Sequence, residues 1–525
     1  MRRSRYRGRE SLLRAETGTI VKSGAPLRVC LIFPNTYNVA MSNLGFQTIY
    51  RELNSRPDTW CERGFLDPAL GFESFESQTP FREFDVLAFS VSFELDLLGL
   101  ATVLVESGLP LLAAERNGFH PLVVLGGVCA TSNPEPVADF VDVVVIGEGE
   151  NAVHDLADET LRHGTQNRDV LFRDLAAVPG FYVPSFEPAV PGGNGTAQSS
   201  ETKRQRREGA RRSREDAVAP AFSQIVTPNA EFANTFLVEV SRGCARSCRF
   251  CLARKLYPYR VWRCDTIQGI IEKFCPETAK VGLVGAAVSD HPEIDDIASW
   301  LVGKGKRLSI ASLRVDSTSE ALLRALAASG QRTVTFAPEA GTERLGTMIG
   351  KAIPQEVLME KIELALAAGI KSIRLYFMVG LPSEQDEDID GIVTLVKSVH
   401  NLTSNRARGH ARLSVTISPF VPKPLTPLER TPMVRSDVLK RRISTIESGL
   451  SSYPEIDVRH DSLRLTALQG ILSRGDRTLG RFIQLMTREK MSFKRASSAA
   501  EVDPDFYLYR ERGPNESLPW EISRT

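Results

Sequence analysis

Phe236-Leu-Val-Glu-Val240, followed after three intervening residues by Cys244-Ala-Arg-Ser-Cys248-Arg-Phe-Cys251, decides the fold of this chain. The apolar run reads as a buried strand, and three thiols bunched in the loop behind it read as ligands. Thiolates so spaced hold a [4Fe-4S] cluster by three of its irons and leave the fourth open to a small molecule. The alternative is zinc, with Cys264 or Cys275 completing a shell of four thiolates. Cys-x3-Cys-x2-Cys-x12-Cys is not a common zinc spacing, which favours the cluster with Cys244, Cys248 and Cys251 as its ligands.

Outward from this stretch, strand patterns at 236–241, 280–284, 307–312, 333–336, 372–379 and 413–419 alternate with helical patterns at 267–275, 294–304, 319–328, 355–368 and 387–402. Six parallel strands with helices between them make most of a (β/α)6 barrel, open on one side, over 231–435. Its site belongs at the carboxyl ends of the strands, where the thiols fall.

Towards the amino terminus, over 1–185, runs such as Leu27-Arg-Val-Cys-Leu-Ile-Phe33, Val86-Leu-Ala-Phe-Ser-Val91, Leu122-Val-Val-Leu125 and Val141-Asp-Val-Val-Val-Ile146 are continuously apolar. They predict strands covered on both faces, hence a flavodoxin-like, doubly wound parallel sheet. Ligands of such sheets sit beyond the strands' carboxyl ends. Gly126, Gly127 and Gly147 fall there, either for close backbone approach to a bulky ligand or for tight turns alone. Residues 186–230 read as a disordered basic linker, with seven Lys/Arg between Lys203 and Arg214. That run is a solvated charge run or a phosphate-binding arm. The last segment, 436–525, reads as a small accessory region without a chemical signature.

The 525 residues, 42% hydrophobic and 25% charged with net charge +1, supply two or three ordinary cores and no bias towards nucleic acid or membrane. No segment offers the roughly 18 apolar residues of a membrane span. The eight cysteines, five of them scattered, do not form a secreted disulfide framework, so a cytoplasmic protein is expected.

The three-cysteine motif after the first strand of a six-stranded α/β barrel resembles the radical S-adenosylmethionine (SAM) superfamily, over about 232–454. The resemblance implies an open iron that chelates SAM, reductive cleavage to a 5′-deoxyadenosyl radical, and a one-electron donor of flavodoxin or ferredoxin type. It also implies that Phe250 packs near the adenine and that Tyr376-Phe-Met-Val-Gly380-Leu-Pro382 is the fifth-strand motif beside it. Glu339, in Ala337-Pro-Glu-Ala-Gly341, is then placed for the SAM ribose or amine. One departure concerns the second strand, where the family's Gly-Gly-Glu is replaced by Gly285-Ala-Ala-Val-Ser-Asp290. Gly285 and backbone carbonyls remain for the amino group, while Asp290 is out of register with the missing acid.

A flavodoxin-like domain before such a barrel resembles the cobalamin-binding class, and Val124-Leu-Gly-Gly127, Asn133-Pro-Glu135 and Gly147-Glu-Gly-Glu150 are similar to its turns. The resemblance implies cobalamin as a further cofactor and methylation of an unactivated carbon. No histidine has an aspartate two residues before it, so cobalt goes without a protein ligand, with Tyr37 or Asn38 lining its lower face, or the domain binds no corrinoid. Radical chemistry without cobalamin, acting on RNA or protein, is the alternative. A zinc-bearing nucleic-acid-binding scaffold is a third reading. Arg314 and Arg374 read either as anion ligands or as structural pairs.

Overall fold

In a computed structural model that describes residues 2–187, 218–404 and 411–524, the chain forms two compact units. The basic run Lys203–Arg214 lies outside the described residues.

Unit 1 comprises Met1–Asn234, Ile471–Tyr507 and Gly513–Thr525. Its sheet contains β1 (Leu27–Phe33), β2 (Thr59–Phe65), β3 (Val86–Ser90), β4 (Leu122–Gly126), β5 (Val143–Val145) and β6 (Phe181–Tyr182), in the order β2-β1-β3-β4-β5-β6. All neighbours are parallel except β6, which runs antiparallel to β5. Along β1, Val29, Leu31 and Phe33 face one layer and Cys30 and Ile32 the other, all buried. Burial on both faces is what turns an apolar run into a central parallel strand. The order reverses between β1 and β3, which makes their carboxyl ends the switch point of the sheet.

Unit 2 comprises Thr235–Gly470 and Leu508–Arg512. Here β7 (Thr235–Glu239) leads into a short ribbon, β8 (Ser241–Arg242) paired antiparallel with β9 (Arg260–Val261). Then follow β10 (Lys280–Val284), β11 (Leu308–Ser309), β12 (Thr333–Glu339), β13 (Ser372–Val379), β14 (Arg412–Pro419) and β15 (Asp457–His460). Parallel pairing runs β7-β10-β11 and β12-β13-β14-β15, and a parallel bridge from Leu313 to Phe336 joins the two sheets. The arc is the expected partial (β/α) barrel with one strand more, because β15 extends the β14 edge.

The structure divides the chain differently from the sequence reading at two places. Residues 218–234 are not linker but part of unit 1, where Val226 exchanges backbone hydrogen bonds with Thr17 and the Ile225 amide donates to Gln47. The segment 436–525 is no separate region: its first part, including helix 436–450 and β15, belongs to unit 2 and most of its remainder to unit 1.

Candidate active site

The cysteine loop is defined by its ends. Ribbon β8/β9 closes residues 243–259 into one loop at the carboxyl end of the first strand. Gly243 permits this turn, since it has φ of +68° and any Cβ there would lie 2.6 Å from the Tyr257 carbonyl oxygen. Within the loop all three thiols are half-buried. The Arg246 amide donates to Cys244 Sγ at 3.4 Å, and the Arg314 guanidinium approaches Cys248 Sγ at 3.9 Å. Burial pushes the Cys251 thiol up, Cys248 and Cys244 add to this, and Lys351 acts against it.

Among the described residues, three ligand-type atoms come within 4.8 Å of one another at Glu159, His163 and Asp174 and not at the cysteine triad. Zinc–sulfur bonds of about 2.3 Å would bring tetrahedral thiolates to about 3.8 Å from each other. As placed, the three thiols do not form that shell. Nor do the other two cysteines close a shell: Cys264 accepts from Gln268 at 3.1 Å at the start of helix 264–274, and Cys275 follows the end of that helix.

Around the loop, the carboxyl ends of later strands converge. Phe250 packs against a buried cluster of Ala340, Leu345, Ile349, Leu381, Phe420 and Leu428, which brings the segments after β12, β13 and β14 to the residue beside Cys251. The Arg249 amide donates to the Ile349 carbonyl at 2.8 Å, fixing the same approach through the backbone. Glu339 ends β12 with φ of +70°, at an irregularity in the β12/β13 register, and its carboxylate pairs with Lys351 at 2.8 Å. A non-glycine residue there stores strain, which structures keep where a side chain must be aimed. Gly380 turns after β13 at φ of +84°, and Pro382 is half-buried in the same turn.

Gly285 lies at the end of β10, where a Cβ would come within 2.6 Å of Ser241 Oγ, so its small size seats the second strand against the first. Asp290 grips Arg246 in a two-pronged ion pair of 2.7 and 2.8 Å. Burial works to raise its carboxyl, but Arg246, Ser317 and Arg314 overcome that and hold it below the usual carboxylate range. Arg314 pairs with Asp316, whereas Arg374 is exposed on β13.

In unit 1 the structure moves Tyr37 into the core and decides between the two readings of Gly127. Tyr37 is 2% exposed, packs edge-on to Phe65 and donates its hydroxyl to Glu16 at 2.6 Å, so it belongs to the core and lines no ligand face. Gly127 is required by a tight turn, since its Cβ would fall 2.6 Å from the Val91 carbonyl oxygen. By contrast, a Cβ on Gly126 would meet nothing closer than 3.9 Å and one on Gly147 nothing within 4 Å. At the switch point, Asn35 donates to Asp96 at 2.8 Å, Asn43 donates to Ser92 at 3.0 Å, and Phe93 is 43% exposed.

Sequence reasoning passed over Arg246, Lys351, Glu384 and Arg442. Glu384 accepts from the Gly380 amide at 2.7 Å and is held by Arg442 at 2.6 Å, which locks the strand-five turn from helix 436–450. A carboxylate four residues beyond a turn glycine is the signal for such a lock; the arginine, 58 residues further on, leaves none.

Comparison with known proteins agrees with this geometry. The chain is 28% identical over 461 residues to an uncharacterised protein of Methanocaldococcus jannaschii, covering 87% of this chain and 90% of that one. It is 23% identical over 330 residues to an uncharacterised methyltransferase of Pyrococcus horikoshii, covering 60% and 67%. Among solved structures, the radical SAM methyltransferase TsrM of Kitasatospora setae, determined with cobalamin and a [4Fe-4S] cluster bound, shares the fold at a TM-score of 0.54 and 14% identity, over 91% of this chain and 100% of that one. The family description "Radical SAM proteins, N-terminal" matches residues 45–184 and "Radical SAM superfamily" matches 238–396, together more than half of the chain. With its three thiols at the carboxyl ends of a parallel (β/α) arc, the chain belongs to the radical SAM superfamily.

Proposed function

We propose that this enzyme cleaves SAM reductively and uses the resulting radical for cobalamin-dependent methylation of an unactivated carbon, drawing electrons from a flavodoxin- or ferredoxin-type donor. The convergence on Phe250 carries the reading: one apolar cluster joins the loop that holds the thiols to the ends of β12, β13 and β14. A cluster bound by Cys244, Cys248 and Cys251 supplies the electron and the open coordination site. The chain's residues supply the rest. The apolar cluster around Phe250 offers a dry face for an adenine, and the Glu339–Lys351 pair offers polar contacts beside it.

The cobalamin part is supported by unit 1. Its strand order is that of a doubly wound nucleotide- or cofactor-binding sheet, and Gly126 and Gly147 leave the carboxyl edge open to a broad ligand. The fold likeness to TsrM adds to this. A second reading, radical chemistry without cobalamin, is favoured by the withdrawal of Tyr37 into the core and by a first loop without histidine.

Anaerobic reconstitution with iron, sulfide and cobalamin tests both parts. The wild type should form 5′-deoxyadenosine from SAM under dithionite and retain about one cobalt per chain, while Cys248→Ala should lose the brown chromophore and all 5′-deoxyadenosine. Full SAM cleavage by the variant would end the cluster assignment. Cleavage by a wild type that excludes cobalamin would select the second reading.

A further inference from the structure

Four charged side chains form one linked group on and beside the cysteine loop. Arg246, between the first two cysteines, pairs with Asp290 beyond β10 and with Asp316 beyond β11. Asp316 also pairs with Arg314 at 2.7 Å, and Arg314 is the member that reaches the thiol of Cys248. Backbone contacts fix Arg314 further, because its amide donates to Ser289 Oγ at 3.1 Å and its carbonyl accepts from Thr318 at 2.5 Å. These bonds fix the Arg314 backbone, and Asp316 holds its guanidinium. Its side chain is only 12% exposed, against 31% for Asp316, so the cation is the more buried member of the pair.

We propose that Arg314 is a positioning residue that sets the reduction potential of the cluster, by presenting a fixed positive charge to the Cys248 sulfur. This rests on the cluster assignment made above. Reduction adds one electron from an external donor to the cluster and no proton, so the reduced form carries one more negative charge. A cation at a ligand sulfur stabilises that form over the oxidised one, and hydrogen bonding and charge at the sulfurs are among the factors that set such potentials. Asp290 and Asp316 then have a different task from the acid of the missing Gly-Gly-Glu motif. Asp290 braces Arg246 within the loop, and Asp316 bridges Arg246 and Arg314.

The test is an EPR-monitored redox titration of reconstituted protein without SAM, comparing wild type, Arg314→Gln and Arg314→Lys, with iron content and melting temperature measured on the same samples. Arg314→Gln should shift the midpoint to more negative potential at wild-type iron content, and Arg314→Lys should return most of the shift. An unchanged midpoint in the Gln variant would overturn the proposal, including when the Michaelis constant for SAM rises, because Arg314 would then be a substrate contact. If the Gln variant takes up no cluster, the Lys variant decides. Recovery of cluster and midpoint by the charge alone supports the proposal, whereas equal loss in both assigns Arg314 a packing role and overturns it. Protein that incorporates no iron even as wild type would refute the cluster assignment instead.

Discussion

At the scale of single residues, the site is organised by charges whose partners lie far away in sequence. Asp290 is the plainest case: it stands out of register with the acid of the missing Gly-Gly-Glu motif, and its pairing with Arg246 makes it a brace for the cysteine loop. Asp96, at the switch point of unit 1, shows the opposite electrostatics. Burial pushes its carboxyl up to about 6, against the hydrogen bond from Asn35 and with a small contribution from Glu94. An unfolded aspartate titrates near about 3.9. Between these values the folded state binds more protons than the unfolded state, so stability falls as pH rises through that window and levels off above it. Asp96→Asn keeps the acceptor for Asn35 and removes the charge. It should raise stability at pH 7.5 by about 1–2 kcal/mol, after allowance for solvent screening, and leave stability at pH 4 little changed. Urea unfolding at the two pH values measures the difference.

At the scale of elements, the strands that were legible are those whose burial is written in their own side chains. β1, β10, β13 and β14 are apolar or strictly alternating, and their ends fall at or within a residue of the pattern. β2 escaped, since Thr59-Trp-Cys-Glu-Arg-Gly-Phe65 carries Glu62 and Arg63 in its middle. Its burial depends on partners elsewhere: Arg63 is fully enclosed between Glu16 at 2.7 Å and Glu76 at 2.6 Å, and Glu62 accepts from Ser77. A buried ion pair contributes little net stability over an apolar substitute, but removing one member leaves uncompensated charge. Arg63→Met should therefore destabilise unit 1 by about 3–5 kcal/mol, read as a lower denaturation midpoint with an unchanged slope. β15 escaped for a related reason: Asp457-Val-Arg-His460 is polar and largely exposed, and it is a strand because β14 offers it an edge.

At the scale of the whole molecule, the chain leaves unit 1 at Asn234 and returns to it from Ile471. Inside unit 1 the return is fastened by two motifs that look unrelated in the sequence. Asn133 donates to the carbonyls of Ser473 and Gly475, and Arg477 grips Glu135 at 2.8 Å together with the Tyr182 hydroxyl and the Pro184 and Glu187 carbonyls. Asn133-Pro-Glu135 thus anchors the tail, which explains this pair of polar residues without a cofactor. Arg477→Ala should cost about 3 kcal/mol by leaving Glu135 buried and unpaired. Adding Glu135→Leu should recover part of the loss, and a double-mutant cycle by thermal unfolding measures the coupling. The sequence by itself determined the three-cysteine motif behind the first barrel strand, the two α/β units and most of their strands, because thiol spacing and apolar periodicity are local quantities. Only the tertiary structure decided that Tyr37 is core, that Asp290 serves Arg246, that Arg314 faces the Cys248 thiol and that most of the carboxy-terminal segment joins unit 1. Each of those rests on a charge or hydroxyl whose partner is brought from a distant part of the chain, and burial of polar groups is settled by that partner alone.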